Sequence, residues 1–426
     1  MAIRCGLSVG RTTQESSLSD QLKKFTTKSL IEPEKPTGKP ANPAHESLKS
    51  KCLKVVVANF ERMPIKGVIP PAQMASVIDS LPTDINPVIA AKYIYNESYW
   101  KRCCVDMLGW HNCRLEEHGY LWKQMFFENH LRSKLENFDS QSEDIDTLYE
   151  LADACSDYIF TITFRQLPSH IDVSELFATF PNIVKLDLSY GIKKIGMSYE
   201  RILFGMKISD ATSLAKVFAS TETITTVILS GNLIDDDLLR MLMTGLIKNN
   251  TITHLDFSHN KITNHGARLI SKLLGENSVI THLNLSDNAI HSEGGRYLAR
   301  GLRENDSLMK LNLRLNRLGD EGCKLLMEGV QENISLVDLN LASNSAGTQT
   351  TLMIYSVLRD VEHRLETIDL SGNLLSSENF MTLKLAVASN KTLRSLDLRK
   401  NPASADCQAI VAEIDKFTYN NEYNTK

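Results

Sequence analysis

The chain has 426 residues, 42% of them hydrophobic, and a net charge of -4, which is enough apolar material for a large buried core and too little charge imbalance for general attraction to nucleic acid or membranes. Eight scattered cysteines form no framework, and no apolar run approaches the length of a bilayer crossing or resembles a signal peptide. These features exclude a disulfide scaffold and a spanning helix, and point to a reducing, cytoplasmic environment.

The charge is unevenly placed. Residues 1–54 hold ten Lys or Arg against five Asp or Glu, so a basic tail precedes an acidic body, which suggests an acidic partner for the tail. Residues 1–46 are rich in Ser, Thr, Lys and Pro and have too few clustered apolar side chains to offset the entropy of ordering; they are read as an extended or disordered tail. Gly6-Leu7-Ser8-Val9-Gly10 spells the G-x-S-x-G nucleophile elbow, but the few residues ahead of it cannot supply the buried strand that motif needs.

Residues 47–158 read as a small helical, aromatic-rich domain. Pro71 and Pro87 stand where helices can begin, and apolar residues recur at helical spacing from there to Phe138. Leu121, Met125, Phe126, Asn129 and Leu135 mark a buried face with charges opposite. Tyr93, Tyr95, Tyr99, Trp100, Trp110, Tyr120, Trp122, Phe126 and Phe127 crowd into the same stretch, as an aromatic core or, for some of them, an exposed partner site. Cys103, Cys104, His111, Cys113 and His118 lack the C-x2-C pairing of a zinc site, so buried thiols and no metal are expected.

From residue 159 to 426 the chain is a repeat array. YIFTITFRQL and NIVKLDLSYG are incomplete turns with Ile159, Ile162, Phe164 and Ile183, Leu186, Leu188 at the leucine positions. An insertion near residues 191–210 follows, and then seven phrases fit L-x-x-L-x-L-x-x-N. They end at Asn232, Asn260, Asn288, Asn316, Asn344, Asn373 and Asn401, with successive spacings of 28, 28, 28, 28, 29 and 28. Three alternating apolar residues make a short half-buried strand, strands one repeat apart pair in parallel, and each asparagine supplies donor and acceptors to backbone that burial leaves unpaired. Between phrases the pattern is helical: Ile270, Leu298, Leu326 and Leu274, Leu302, Val330 form columns in register. Thr263, Ser292 and Asp320 are expected as N-caps, Gly266, Gly294 and Gly322 as points of close helix approach, and Asn277, Asn305 and Asn333 as left-handed helix ends. Ile410, Ile414 and Phe417 suit a closing helix. The fold class is therefore α/β: a curved leucine-rich-repeat solenoid with parallel strands inside and helices outside, preceded by a small all-α domain.

Function is expected where the strands face solvent. His254, Asp256, His282, Asn284, Lys310, Asn312, Arg314, Asn340, Asp369 and Arg399 line the inner wall as a mixture of acids and bases that suits a protein better than a phosphate chain. His254 and His282 are neighbours, but no third metal ligand accompanies them. No Walker loop, H-E-x-x-H or dinucleotide fingerprint is present. Arg314 or Arg317 could serve as a GTPase-activating arginine, though nothing singles either out. The expectation is a binding scaffold without catalytic residues, cofactor or metal, with no nucleic-acid or membrane partner. LPTDINPVIAAKYI followed by SYWKRCC is also similar in layout to an F-box region ahead of leucine-rich repeats, and leaves a ubiquitin-ligase substrate adaptor as the alternative.

The D-E-G turn and N-x-S/T-L return resemble the ribonuclease-inhibitor class of leucine-rich repeats. LNLRLNRLGDEGCKLLMEGVQEN, LDFSHNKITNHGARLISKLL, GMSYERILFGMKISDATSLAKVF and the aromatic SYWKRCC with HGYLWKQMFFENHLR resemble the t-complex-associated testis-expressed protein 1 family, subunit 5 of the dynein regulatory complex. The resemblance covers roughly residues 70–415. It implies a structural and regulatory subunit of the nexin link, in the axoneme of motile cilia or flagella. Its partners would be the other subunits of that complex and, beyond them, doublet-microtubule or dynein components. The chain departs from the pattern in its short N-terminal tail and in the 29-residue unit, which lacks the D-E-G turn at Ser345 to Thr348.

Overall fold

The computed structural model describes residues 47–64, 69–138, 144–167, 172–191, 204–275, 278–360, 363–402, 404 and 407–423. The Gly6 to Gly10 motif, Asn277 and residues 192–203 of the expected insertion lie outside the described residues. The chain divides into two compact units, 1–56 and 57–426. Of the first unit only the start of helix α1 (Leu48–Ala58) is described.

Within the second unit the first layers are helical: α2 (Pro71–Ser80), α3 (Pro87–Tyr93), α4 (Glu97–Leu108), α5 (Trp122–Glu136) and α6 (Ile145–Cys155). Proline is the first residue of both α2 and α3. Tyr99, Trp100, Phe126 and Phe127 are buried together, with the Trp100 ring 5.0 Å from Phe126 and 4.9 Å from Phe127. Tyr95, Trp110 and Tyr120 are exposed.

Helix α5 corrects the amphipathic reading. Leu121 is exposed, whereas Lys123, Gln124 and Glu128 are buried beside Met125, Phe127 and Leu131. The charged residues are inside because each one ends another element's unpaired backbone. Lys123 Nζ donates to the Ala91 and Ile94 carbonyls at the end of α3, at 2.8 and 3.1 Å, under the Tyr158 ring at 4.2 Å. Burial pushes its ammonium down to about 8. The Glu128 carboxylate accepts from Gln124, from the Phe160 and Thr161 amides at 3.0 and 2.8 Å, and pairs with His118. Glu136 accepts from the Arg165 amide at 2.6 Å.

Those last amides lie at strand β1 (Thr161–Phe164), the first of nine parallel strands among the described residues, whose spatial order is their chain order: β2 (Lys185–Leu188), β3 (Thr226–Ile228), β4 (His254–Asp256), β5 (His282–Asn284), β6 (Lys310–Asn312), β7 (Asp338–Asn340), β8 (Thr367–Asp369) and β9 (Ser395–Asp397). Leu186, Val227, Leu255, Leu283, Leu311, Leu339, Ile368 and Leu396 are paired in register and buried. Each side chain of this kind removed from water contributes about 1.5–3 kcal/mol before entropy is counted. A helix follows each strand: α7 (Val173–Ala178), α8 (Ile208–Ser220), α9 (Asp236–Leu246), α10 (Asn264–Leu273), α11 (Ser292–Arg303), α12 (Gly319–Glu332), α13 (Thr348–Arg359), α14 (Ser377–Ser389) and α15 (Cys407–Tyr423). The α/β leucine-rich-repeat solenoid with a helical region before it is the observed architecture.

Helices stack closely because small residues meet. A Cβ on Gly329 of α12 would lie 2.5 Å from the Ala299 carbonyl oxygen of α11, and one on Gly294 would lie 2.8 Å from Asn264 Oδ1. That second contact exposes a capping scheme different from the expected one. Thr263 does cap its own helix, accepting from the His265 amide at 3.4 Å, but Ser292 and Asp320 lie inside theirs. The cap instead crosses to the next repeat. Asn264 Oδ1 accepts from the His291 and Gly294 amides at 2.9 and 3.1 Å, and Asp236 serves Thr263 and Gly266 in the same way. Asp320 accepts from Gly347, Gln349 and Thr350. Burial raises the Asp320 carboxyl, but these bonds outweigh it and hold the group below its usual range.

Asn305 and Asn333 are likewise not left-handed helix ends. Both are buried, and they form a second ladder on the far side of the repeats: Asn305 donates to Leu274 O, Asn333 to Leu302 O and Asn390 to Leu358 O, at 2.8–2.9 Å. Left-handed residues instead stand just before the first ladder, at His259, Asp287, Leu315, Ser343 and Lys400, with Gly231 and Gly372 in the other two repeats, and just after it at Leu233, Ser345 and Gly319.

Candidate protein-binding surface

The first asparagine ladder fixes the wall. Asn260, Asn288, Asn316, Asn344 and Asn373 each donate to a carbonyl of their own repeat and to the matching carbonyl of the repeat before. Their Oδ1 atoms accept backbone amides from that previous repeat. Asn232 reaches Leu188 O and the Tyr190 amide, and Asn401 reaches Leu370 O and the Leu375 amide.

Two rows of side chains stand on the solvent side of the strands. The row Asp256, Asn284, Asn312, Asn340, Asp369, Asp397 has work of its own: each Oδ1 accepts the amide two residues on, at 2.8–3.1 Å. Asn284 Nδ2 also donates to Asp256 at 2.8 Å, and Asn340 Nδ2 to Asp369 at 3.0 Å. Among the expected partner-binding positions, these acids and amides therefore end strands as well as facing solvent. Arg399 is drawn onto Asp397 through two 2.9 Å bonds and holds that carboxyl below its usual range.

The other row is freer. His254 and His282 stack with ring centres 4.0 Å apart, and beside them Lys310 and Asp338 continue the register. Thr253 and Thr281 hydroxyls lie 2.8 and 2.9 Å from the two Nδ1 atoms. Burial, then the neighbouring His254 and Lys310, push His282 below the ordinary histidine value, with Asp338 opposing. These residues line a recess of about 370 Å³ that runs across β3 to β7. Lys310 and Arg314 are exposed, and neither makes an ion pair among the described residues. Asp338, absent from the sequence expectation, belongs to this row; its signal was its place in the register after His254, His282 and Lys310.

The Cys and His residues of the helical region do not converge. Cys103, Cys104 and Cys113 sulfurs lie against the Thr83, Trp122 and Gly109 carbonyls, and His118 faces Glu128. Burial pushes the Cys103 thiol up to about 11. No described helix is long and apolar enough to cross a membrane.

Stacked parallel strands, an outer helix per turn and a laddered asparagine define a leucine-rich-repeat protein, and the family described as Leucine Rich repeat matches residues 248–271, 276–299 and 304–327. The chain is 43% identical over 195 residues to dynein regulatory complex subunit 5 of Chlamydomonas reinhardtii, covering 46% of this chain and 50% of that protein. It is 30% identical over 228 residues to dynein regulatory complex subunit 5 of Mus musculus, covering 47% and 45%. The chain is thus similar to dynein regulatory complex subunit 5 of both organisms, and spans about half the length of the curated relatives it matches. A plant ice-binding protein overlays 57% of the chain and 64% of its own at 18% identity, with a TM-score of 0.35.

Proposed function

We propose that this chain is a non-enzymatic structural and regulatory subunit of the nexin-dynein regulatory complex in the axoneme of motile cilia and flagella. It binds other subunits of that complex and thereby helps regulate axonemal dynein. The 43% identity to the Chlamydomonas subunit carries this reading. The helical region from Pro71 to Cys155 acts as a cap on the repeat domain, and the partner surface is the inner wall around His254, His282, Lys310 and Arg314. Repeat scaffolds bind through such variable strand positions while the leucines and asparagines keep the frame.

The test is fractionation. In a ciliated cell expressing the tagged chain at native level, the protein stays with the axoneme through detergent and high-salt extraction. Recovery entirely in the soluble fraction overturns the proposal.

A further inference from the structure

We infer that the partner segment received by the inner wall is acidic, its carboxylates held by a patch of hydrogen-bond donors centred on β6. This rests on the reading above that the wall binds a partner, and adds the chemistry of what it binds. Three successive outward positions on and just after β6 are Lys310, Asn312 and Arg314, an ammonium, an amide and a guanidinium. The other arginines of the wall are committed: Arg165 pairs with Asp187 at 3.3 Å, Arg394 with Glu366 at 3.0 Å, and Arg399 with Asp397. Lys310 and Arg314 have no such pair among the described residues.

The neighbours of β6 strengthen the asymmetry. Asn284 turns its amide away to Asp256, and Asn340 turns its amide away to Asp369. Asn312 lies between them with Oδ1 engaged by the Arg314 amide at 3.0 Å, and its Nδ2 has no acceptor among the described residues. Asp256 and Asp369 are thus bonded to the flanking amides, and around β6 the donors Lys310, Asn312 and Arg314 face one carboxylate, Asp338, the register partner of Lys310.

The histidine pair extends the patch. The Thr253 and Thr281 hydroxyls donate to the Thr225 and Thr253 carbonyls at 3.3 and 3.2 Å, so each hydroxyl is placed to accept from imidazole Nδ1. The neutral His282 ring then carries its lone pair on Nε2, where one proton creates a further charged donor beside Lys310. The titratable and charged groups around His282 are His254 and Asp256 on β4, Lys310 on β6 and Asp338 on β7. Burial, then His254 and Lys310, keep the proton off His282 in the free wall, and an arriving carboxylate opposes them, so binding takes up a proton. Asp338 opposes an acidic guest and has no hydrogen bond or ion pair from its side chain among the described residues to relieve it; its removal strengthens binding.

The experiment uses the full chain and a short all-glutamate peptide carrying a fluorophore, read by anisotropy at low salt, with an all-lysine peptide as control. The wild type binds the acidic peptide, and tightens by severalfold between about pH 7.5 and 6. Lys310→Glu with Arg314→Glu weakens it at least about tenfold, Asp338→Asn tightens it, and His282→Gln flattens the pH dependence. Equal binding by the wild type and the double variant, or weaker binding by Asp338→Asn, overturns the proposal. A photo-crosslinking side chain at Thr226 or Thr367, used in axonemes, separates the two levels. A cross-linked partner that persists undiminished in the double variant leaves the wall reading standing and removes the acidic segment. Absence of any cross-link from the wall removes both.

Discussion

Replacing Asn316 with Leu removes four distinct hydrogen bonds of very unequal worth. Asn316 Nδ2 donates to Leu285 O and Leu313 O, both at 2.9 Å, but Asn288 also donates to Leu285 O and Asn344 to Leu313 O, at 3.0 and 2.8 Å. Those carbonyls keep a partner. The long contact to Arg314 O at 3.5 Å adds little. The Ile290 amide is different: it donates to Asn316 Oδ1 at 3.2 Å and nothing else replaces that acceptor in the buried turn. One orphaned buried amide costs about 1–3 kcal/mol and two thinned carbonyls add roughly another 1, giving about 2–4 kcal/mol in all. Asn401→Leu is the control. It serves the last repeat, where Asn401 is only half-buried and water can take over, so its cost stays below about 1 kcal/mol. Urea unfolding followed by far-UV circular dichroism reads both, provided the slope with urea is the same in each. Equal midpoints for Asn316→Leu and wild type, or a larger loss in Asn401→Leu, would refute the assignment of the ladder as structure.

His363 takes an asparagine's place in the second ladder, Nε2 donating to Val330 O at 2.8 Å and Nδ1 accepting from the Leu365 amide at 3.3 Å. Burial lowers it from the ordinary 6.5, so the unfolded chain takes the proton first. Its contribution is complete above 6.5 and is lost as pH falls through the lowered folded value. His363→Asn keeps both bonds and reduces the acid slope of the melting temperature, leaving the slopes from His130 and His282, which are also lowered; an unchanged slope contradicts the placement. Leu315 holds a left-handed conformation at φ 56 with 43% of its surface exposed, and Leu315→Gly stabilises by about 0.5–1 kcal/mol. A loss of stability there would mean its apolar contacts outweigh the strain. Glu128→Ala orphans the Phe160 and Thr161 amides and costs about 3 kcal/mol. Hydrogen exchange speeds up first in β1, and unaltered exchange there argues against the carboxylate's role.

The parts legible in the sequence were those written within one repeat. Ile252, Leu255 and Phe257 alternate over six residues, and Asn260 follows at fixed distance, so strand, face and turn all sit in one short window. What escaped were relations between repeats. Asp320 looks like a helix's own first-turn acid, and only stacking shows that its partners are Gly347, Gln349 and Thr350. Asn305 and Asn333 have the composition of a left-handed turn, and their use as bridges to Leu274 and Leu302 depends on the previous helix ending opposite them. His363 carries no asparagine signal at all. In α5, Lys123 and Glu128 look like solvent-facing charges because their partners lie on α3 and before β1, about thirty residues away in the chain. The wall residues were readable as positions but not as a pattern of commitments. Which acids are already bonded decides what remains for a guest.

The carboxylates that α5 lays against the start of the sheet also govern how the protein can assemble. A parallel sheet of short strands has a free edge at each end, and a free edge is a template for another copy. Glu128 and Glu136 occupy the Phe160, Thr161 and Arg165 amides at the first edge. At the other end Asn421 of α15 takes up the Asn390 and Leu393 carbonyls. Two acids and one amide thus help to set a finite length on a fold whose repeats would otherwise admit indefinite addition. Removing α5 or α15 would leave those backbone groups open to pairing with another copy.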